Sequence, residues 1–583
     1  MEDSGQFIGS LFRRQAPFNI LALLASTIGP IVCTSLAGIY FGSDGLAIVT
    51  ICAPLFLAAA FLGFIISGGA QIVCSGYIAK DDLDNVNNVY SAVIVLNLAI
   101  STIVCATLLL FKQPLLTLLA GEISQSLSVY YTFFVLNSFL FIPAYLPLFF
   151  SKLIGKPQIG FVLTGVMSFI SIVASLILVN YMGVEAVALG QAIGTAVGLL
   201  ISMLMIRKFF KFKVPKVFFI KPILTAGSPL GLTRLYILVT TLILNALFLR
   251  LGGSVALAVW GVVAMLHRFI TAFTLGVAQT LVPLVAVFHE ERDTTSIKQT
   301  MKTAFDYGNT VIILVGFLLI VFRNQISLIF GLSESGEELV LAIPIYVVYA
   351  ILLMNTTIFS SYYNAVKRIK LANVIPFFQE FAVIVIGSIA LMNLLGTTGI
   401  WISFLVSGII TLFILLVILL FIKCKDKDLS IPLLLNQRLE RDGKYISFSV
   451  ENNPEKASEA AEKVSDFCEE YGVNPKQTMQ ISMSIEEIIT LIINSSKKKN
   501  FTVSVRLFIL DEMIILRIRN TGEKFNAIQY YEKNIAEANI TDDNAIGATE
   551  KSLDIIGMKY IVQSAKVIYY RETFGVNSLV VIL

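Results

Sequence analysis

Four ionisable residues lie inside otherwise apolar stretches of the sequence: Arg234, His267, Arg268 and Glu380. Charged groups are expensive inside a bilayer, so each is a candidate for a functional role. Glu380 stands among phenylalanines, and a carboxyl in such surroundings suits a proton carrier. The two arginines would need a carboxylate, carbonyl or water partner, and they would oppose cationic substrates unless neutralised. Asn245 and Asn355 could supply neutral polar contacts.

Each charged candidate also has a structural explanation. Arg268 could snorkel or cap a helix, and Glu380 could pair with a Lys or Arg near the cytoplasmic side. His267 could be an interior histidine whose hydrogen bonds are satisfied. The sequence leaves these alternatives open.

The composition indicates which elements must position these residues. The chain has 583 residues, of which 56% are hydrophobic and 14% charged, with a mean hydropathy of +0.82. Soluble domains average about 25% charged residues, so ordinary globular classes are excluded. Residues 1–423 hold 23 Lys or Arg and 16 Asp or Glu, whereas residues 424–583 hold 20 and 23. A large membrane body is therefore followed by a soluble domain.

The membrane body contains about twelve apolar stretches long enough to cross a bilayer, which takes roughly 20 residues. They begin near Pro17, Leu46, Val89, Ser128, Ile159, Val184, Pro222, Val255, Ala304, Leu339, Ala372 and Gly399. Basic residues cluster after even-numbered stretches, as in 207–221 and 423–427. Because cytoplasmic loops are rich in Lys and Arg, both termini are expected in the cytoplasm of a multi-pass plasma-membrane protein.

The membrane body also looks duplicated. The run Phe41-Gly42-Ser43-Asp44-Gly45-Leu46-Ala47 resembles Gly252-Gly253-Ser254-Val255-Ala256-Leu257-Ala258, about 210 positions later. We therefore expect an all-α bundle of twelve transmembrane helices in two six-helix lobes, residues 1–206 and 222–423, joined by a basic linker, 207–221. A second linker, 424–444, leads to the soluble domain, 445–583. Such lobes suggest a transporter that rocks about a central cavity.

Four motifs of the membrane body resemble those of the MATE multidrug and toxic-compound exporters. They are Gly42-x-x-Gly45-x-Ala47, Ser67-Gly68-Gly69-Ala70, Ala79-Lys80-Asp81-Asp82-x-x-x-Val86 and Tyr362-Tyr363-Asn364-Ala365-x-Lys367-Arg368-x-Lys370. The resemblance covers residues 10–423 and implies proton- or cation-coupled export of amphipathic, often cationic, organic compounds. The wider superfamily includes lipid-linked oligosaccharide flippases.

The sequence departs from this family at its best-studied cation site. Many relatives carry an acidic residue in the first span or the seventh. Here the first span, about Ala16 to Phe41, has no Asp or Glu, and the seventh has Arg234 but no acid. The coupling ion, a proton or sodium, therefore stays open, and the alternatives of a flippase or an atypical transporter gain weight.

The soluble domain is predicted to be an α+β layer. Helices are expected at 455–471, 477–494 and about 551–564, and strands at 502–510, 513–519, 566–572 and 578–583, with a polar stretch over 520–550. This order resembles the histidine-kinase-like ATPases, particularly the anti-sigma-factor kinases.

The nucleotide motifs of that second family are altered in this sequence. Aligning Glu487 with the family's glutamate puts Leu491 where the magnesium-holding asparagine should stand. Asn520 replaces the aspartate of the Asp-x-Gly motif that contains Gly522, and the second glycine box is reduced to Gly557. Mg²⁺ demands oxygen ligands, which a leucine lacks. The domain is expected to be a degenerate, regulatory or partner-binding relative without bound Mg-ATP.

These observations favour an antiporter that exports small organic compounds by alternating access and is not an enzyme. The alternatives are a lipid-linked oligosaccharide flippase and a membrane signalling protein that acts through its anti-sigma-like tail. Membrane lipid and a cytoplasmic protein are possible partners of the chain. The small net charge, +4, gives no support for nucleic-acid binding, and the six cysteines show no metal-site spacing.

Overall fold

The computed structural model describes residues 2–78, 82–120, 125–153, 158–214, 217–290, 293–330, 332, 336–436, 443–451, 453, 455–496, 501–510, 513–523, 525–538, 556–573 and 576–583. Part of the motif at 79–86 and part of the linker 424–444 lie outside these residues. The chain forms two compact units. The membrane unit is Gln15–Val282 with Ala304–Leu416, and the tail unit is Met1–Arg14, Pro283–Thr303 and Val417–Leu583.

Helices account for the membrane part of the chain. They are α1 (Glu2–Gly63), α2 (Gly69–Ile78), α3 (Leu83–Leu110), α4 (Lys112–Ala120), α5 (Gln125–Leu153), α6 (Gln158–Leu178), α7 (Glu185–Ile206), α8 (Ile220–Glu290), α9 (Thr294–Val321), α10 (Arg323–Ile329), α11 (Gly336–Ala365), α12 (Ile369–Phe377), α13 (Val383–Leu395) and α14 (Thr397–Lys425). Two π-helical turns, Phe64–Gly68 and Phe378–Ala382, join α1 to α2 and α12 to α13.

Ten helical segments among the described residues are long and apolar enough to cross a membrane, rather than the twelve predicted. The difference comes from two segments, Phe7–Cys74 with 68 residues and Gly231–Ala286 with 56. Both greatly exceed the roughly 20 residues that one crossing requires. Each contains a glycine with non-helical backbone angles, so the predicted boundary between two stretches falls inside one assigned helix.

The first long helix folds back on itself at Gly42, where φ is 63° and ψ is −151°. A Cβ placed on Gly45 would lie 2.6 Å from the carbonyl oxygen of Ala37. In a straight helix these residues would be about 12 Å apart, because each residue advances the helix by about 1.5 Å. The segments before and after Gly42 are therefore neighbours.

The second long helix, α8, turns in the same way at Gly253, with φ of 63° and ψ of −149°. The indole Nε1 of Trp260 donates a 2.8 Å hydrogen bond to Oδ1 of Asn245, although a straight helix would separate these residues by about 22 Å. Gly42 and Gly253 are equivalent in the two runs that suggested a duplication. The matching backbone angles agree with that interpretation.

The two halves of the membrane unit approach each other closely where both lack side chains. A Cβ on Gly69 would collide with the carbonyl oxygen of Ile223, and one on Gly227 would collide with that of Ile65. Gly227 belongs to the first part of α8, whereas Ile65 and Gly69 follow α1. Glycine is therefore required on both sides of this contact.

The C-terminal domain has five antiparallel strands in the order β1-β2-β3-β5-β4. The strands are β1 (Lys444–Glu451), β2 (Thr502–Leu510), β3 (Met513–Asn520), β4 (Val567–Thr573) and β5 (Val576–Ile582). The helices are α15 (Glu455–Glu470), α16 (Pro475–Ser495), α17 (Ala527–Ala538) and α18 (Ile556–Ser564). The predicted elements lie within a few residues of their observed positions, and residues 551–555 of the last predicted helix lie outside the described residues.

Two elements of this domain were not predicted. Strand β1 lies beside β2 at the edge of the sheet, and α17 occupies part of the polar stretch 520–550. The described core lies between the helices and one face of the sheet. Ile481, Ile485 and Ile488 of α16 pack with alternate residues of β2, such as Val503 and Val505.

We predict that Gly253→Ala destabilises the protein, because a side chain in this region of φ and ψ costs about 1–3 kcal/mol. Gly165→Ala is the matched control, since its Cβ would meet no atom within 4 Å and Gly165 lies in regular helix. Thermal unfolding in detergent measures both variants. Equal melting temperatures for the two would contradict the strained-turn interpretation.

Candidate functional site

A cavity of about 370 Å³ lies inside the membrane unit and is lined from both halves of it. The N-terminal half contributes residues of α1, α5, α6 and α7, and the C-terminal half contributes α8, the second π-helical turn, α13 and α14. The size matches the range of small-molecule sites, about 300–1,000 Å³. All four ionisable residues singled out from the sequence line it.

Glu380 lies within the π-helical turn Phe378–Ala382. Its backbone carbonyl accepts a 2.6 Å hydrogen bond from the hydroxyl of Thr240 on α8. Single π-helical turns inside α-helices occur frequently at functional sites. Here the wider turn is held by a neighbouring helix, and the Glu380 side chain lines the cavity.

Glu380, His267 and Tyr346 form a chain of polar groups. Oε2 of Glu380 lies 4.0 Å from Nε2 of His267, and both side chains are more than four-fifths buried. On the other side of the imidazole, Nδ1 shares a hydrogen bond with the hydroxyl of Tyr346 on α11. The distance between Glu380 and His267 exceeds that of a hydrogen bond, so a proton could pass along the three groups only when these two side chains move closer together.

The two arginines of the cavity rest on aromatic rings of the other half. The guanidinium carbon of Arg234 lies 4.8 Å from the centroid of Phe64, and that of Arg268 lies 5.4 Å from the centroid of Phe56. Cations over aromatic faces are attracted by the ring quadrupole. Arg268 therefore lines the cavity rather than capping a helix end.

The two asparagines lie outside the described cavity lining. Asn245 accepts the Trp260 indole proton and donates from Nδ2 to the backbone oxygen of Thr50, at 2.9 Å. Asn355 exchanges hydrogen bonds with Asn309, at 3.0 and 3.1 Å. Both amides are thus occupied in holding helices together.

Several polar residues of the site were not identified from the sequence. Asn137 and Thr195 line the cavity and are joined by a 2.8 Å hydrogen bond between the Thr195 hydroxyl and Oδ1 of Asn137. Tyr346 was also missed. Neutral polar residues are common in membrane helices, and no spacing distinguishes these from the rest; their convergence is visible only in the fold.

Comparison with known families and proteins agrees with this architecture. A family model described as MatE matches residues 229–389, and one described as "Polysaccharide biosynthesis protein" matches residues 13–289. A "Multidrug export protein MepA" of Staphylococcus haemolyticus is 23% identical over 375 residues, 61% of this chain and 79% of its own. Its namesake from Staphylococcus saprophyticus is 25% identical over 422 residues, 68% and 91% of the respective chains.

Solved structures show the same fold. An inward-facing multidrug resistance MATE transporter superposes with a TM-score of 0.61 at 16% identity, covering 70% of this chain and 96% of its own. The chain has the MATE fold. A Pyrococcus furiosus transporter of the MOP superfamily, described as having a binding pocket of reverse polarity, matches with a TM-score of 0.56 at 17% identity, covering 70% and 95%.

The described cavity thus lies between the two halves of a MATE fold. MATE family transporters are not enzymes, and the relatives and structures named above are described as multidrug export proteins and transporters. The MATE resemblance inferred from the sequence motifs is therefore confirmed for the fold of the membrane unit.

In the C-terminal domain, the residues predicted to form a degenerate nucleotide motif make internal contacts. Glu487 on α16 accepts a 3.1 Å hydrogen bond through Oε1 from the backbone N–H of Met558, in the first turn of α18. A helix N-terminus is a natural anion site, and here a carboxylate of the protein already occupies it. Leu491 packs against the hydrophobic core, and Gly557 lies beside Met558 in α18.

Asn520 is likewise engaged inside the domain. Its Oδ1 accepts hydrogen bonds from the Gly522 backbone, at 3.1 Å, and from Nδ2 of Asn577 on β5, at 3.0 Å. Asn577 in turn accepts a 2.6 Å hydrogen bond from the hydroxyl of Tyr570. Only 2% of Asn520 is exposed. This side chain therefore serves the sheet rather than an open ligand site.

A second feature of the tail unit is a buried arginine cluster on β2 and β3. Arg506 and Arg517 are direct cross-strand partners, and Arg519 follows on β3. All three are less than 10% exposed and alternate with core residues, so they lie on the sheet face opposite the helices. Like charges opposite each other are destabilising, so this cluster requires a counter-charge.

Asp293 supplies that counter-charge from the short segment between α8 and α9. Its Oδ1 pairs with Nη1 of Arg506, and its Oδ2 lies 3.0 Å from Nη1 of Arg519. The same carboxylate caps α9, because Oδ1 also accepts a 3.0 Å hydrogen bond from the backbone N–H of Ser296. One buried side chain thus joins the start of a candidate membrane span to the C-terminal sheet.

The charge of Asp293 is secured by its surroundings. Burial alone would raise the pKa of this carboxyl, but Arg506, Arg519 and Arg517, with the Ser296 hydrogen bond, hold that pKa well below its ordinary value. A carboxyl with a depressed pKa stabilises the folded state at every pH above its unfolded value, about 3.9, and loses that contribution as the pH falls towards the folded pKa. The contact is therefore constant between about pH 5 and 8.

We predict that Asp293→Asn lowers the free energy of unfolding by about 3–5 kcal/mol, because it leaves buried arginines without their counter-charge. Asparagine also caps helices well, so the start of α9 should stay formed. Thermal unfolding in detergent measures the loss, and hydrogen exchange of residues 293–300 reports the cap. The exposed Asp426→Asn is the control, and an Asp293→Asn protein as stable as this control would contradict the electrostatic role.

Proposed function

We propose that the chain exports amphipathic organic compounds by alternating access and that the cavity is the binding site. The observation that carries this proposal is the cavity itself, which collects four ionisable side chains between the two halves of a MATE fold. Both curated relatives named above are multidrug export proteins, and the chain covers 79% and 91% of their length.

We further propose that export is coupled to an ion gradient and that Glu380 carries the coupling ion. The neighbouring His267 and Tyr346 favour a proton over sodium, because both can donate and accept one. The aromatic and apolar lining would keep bulk water from bypassing this path. Arg234 faces the same cavity and would stabilise the carboxylate once the proton has left.

Glu380→Gln should abolish uptake driven by a pH gradient in proteoliposomes, because glutamine cannot release a proton. Substrate binding, followed by tryptophan fluorescence, should be retained. Glu337→Gln, an exposed residue at the start of α11, is the matched control. Unchanged pH-driven uptake would remove Glu380 from the coupling path, and sodium-driven uptake that survives the change would assign sodium as the ion.

A lipid-linked oligosaccharide flippase is the second candidate. Two observations favour it: the match of residues 13–289 to the model described as "Polysaccharide biosynthesis protein", and the two guanidinium groups in the cavity. A flippase would use the same halves and the same cavity. It would differ in taking its substrate from the lipid rather than from water.

We propose that the C-terminal domain regulates transport and does not bind Mg-ATP. The carboxylate of Glu487 at the start of α18, the apolar Leu491 and the buried Asn520 support a degenerate nucleotide site. The contact through Asp293 ties the domain to the segment before α9, which favours regulation within the chain. A separate anti-sigma-like signalling role, with a cytoplasmic protein partner, is the third candidate.

We propose that the protein crosses the plasma membrane twelve times with both termini in the cytoplasm. The turns at Gly42 and Gly253 support two crossings for each of the long helices, and the basic segments support the orientation. The predicted lobes, 1–206 and 222–423, and the linkers 207–221 and 424–444 follow from this topology.

Labelling with a membrane-impermeant maleimide tests this topology. Cys424 lies in the last turn of α14, at the end of the last span, and is exposed, so it should react only after the cells are permeabilised. In a Cys424→Ser background, Asp44→Cys at the first glycine turn should react in intact cells. Labelling of Cys424 in intact cells would overturn the orientation, and protection of the new cysteine would overturn the outer turn.

A further inference from the structure

The cavity carries more positive than negative charge. Its described ionisable residues are two arginines, one histidine and one glutamate. A guanidinium keeps its charge in proteins, whereas the glutamate and histidine can each be neutral. With Glu380 ionised and His267 neutral the net charge is +1, and every other combination is more positive. Among the described lining residues, every protonation state thus leaves a net positive charge, which disfavours a cation.

The two guanidinium groups also have donors to offer. Each carries five N–H groups in a plane and has no acceptor of its own. Among the described residues, neither Arg234 nor Arg268 donates a hydrogen bond to a protein acceptor or lies within 4 Å of a carboxylate. Their aromatic contacts, Phe64 and Phe56, cover a face of each plane and leave its N–H edges available. Such an edge matches a carboxylate, sulfonate or phosphate.

The rest of the lining is mostly apolar and aromatic. Phe141, Tyr145, Trp260 and Phe404 surround the cavity together with the two rings beneath the arginines. A ligand that fills about 370 Å³ here needs an apolar body as well as a charged group. The lining therefore selects amphipathic molecules, and the arginines determine the sign of their charge.

We propose that the cavity binds amphipathic organic anions, with the anionic group held by Arg234 and Arg268 and the apolar body against the aromatic rings. This inference rests on the proposed transport function and gives its substrate class. It differs from the often cationic substrates that the family resemblance implies. The anion could be a water-soluble carboxylate or sulfonate, or the diphosphate headgroup of a lipid.

Binding can be measured without transport, because both tryptophans of the chain lie at this site. Trp260 lines the cavity, and the rings of Trp260 and Trp401 have centroids 6.2 Å apart. Energy transfer from tryptophan to a dansyl group reports occupancy in the purified full-length protein. Three probes share the dansyl fluorophore and differ in charge: dansylglycine is negative, dansylamide is neutral and monodansylcadaverine is positive.

Dansylglycine should bind at least about tenfold more tightly than monodansylcadaverine, since each charge-assisted hydrogen bond contributes a factor of that order. Arg234→Gln and Arg268→Gln should each weaken dansylglycine binding about tenfold and leave dansylamide binding unchanged, which also shows that the variants are folded. Arg250→Gln, an exposed arginine of the same long helix, is the control and should change neither. Tighter binding of monodansylcadaverine, or dansylglycine binding unaffected in both cavity variants, would overturn the proposal.

Competition and transport separate the remaining possibilities. Displacement of dansylglycine by farnesyl diphosphate would support the anion site and assign it to lipid diphosphates, whereas displacement by naphthalenesulfonate alone would support it and assign soluble anions. Export is tested separately in proteoliposomes with an imposed proton gradient. Anion-selective binding without uptake would contradict the export function but support the proposal that the cavity binds anions. Uptake of monodansylcadaverine in preference to dansylglycine would support export but contradict the proposal that the cavity binds anions.

Discussion

The arrangement of the membrane unit depends on the need to keep ionisable groups out of contact with lipid. Charges inside a bilayer must face a cavity, another charge or a polar partner. Arg234, Arg268, His267 and Glu380 satisfy this requirement together, because residues from both halves enclose one space around them. Backbone polar groups need partners for the same reason. The regular hydrogen-bond pattern is interrupted at the π-helical turn, and there the Thr240 hydroxyl donates to the Glu380 backbone carbonyl. The residues that satisfy this constraint are therefore also the ones that line the cavity.

Much of this organisation could be predicted from the sequence, because it depends on hydropathy and on glycine. The turns at Gly42 and Gly253 fall in the two runs that suggested a duplication, and their backbone angles are nearly identical. The four ionisable residues were identified because charges are rare in apolar stretches. The count of assigned helices was not predictable, since a helix that continues through a glycine turn is indistinguishable by composition from two helices.

Residues that act through distant partners could not be predicted. Asn245 and Asn355 were candidates by residue type alone, and the fold shows that each donates a hydrogen bond to a group on another helix. Nothing in the sequence around Asp293 separates it from a charged turn, because the arginines it meets lie more than 200 positions later. In the C-terminal domain, the helices could be predicted from their apolar repeat of about 3.6 residues, and so could the consecutive strands β2 and β3. Strand β1 and helix α17 were missed because edge elements carry weak apolar patterns.

Asp293 has one further implication, which follows from thermodynamic linkage. A residue that both starts α9 and neutralises the C-terminal sheet makes the free energies of the two elements interdependent. Linkage is reciprocal, so a ligand that binds the sheet at its arginine cluster and alters the Asp293 contact would change the stability of the first turn of α9, and a change at that turn would alter the ligand's affinity by the same factor.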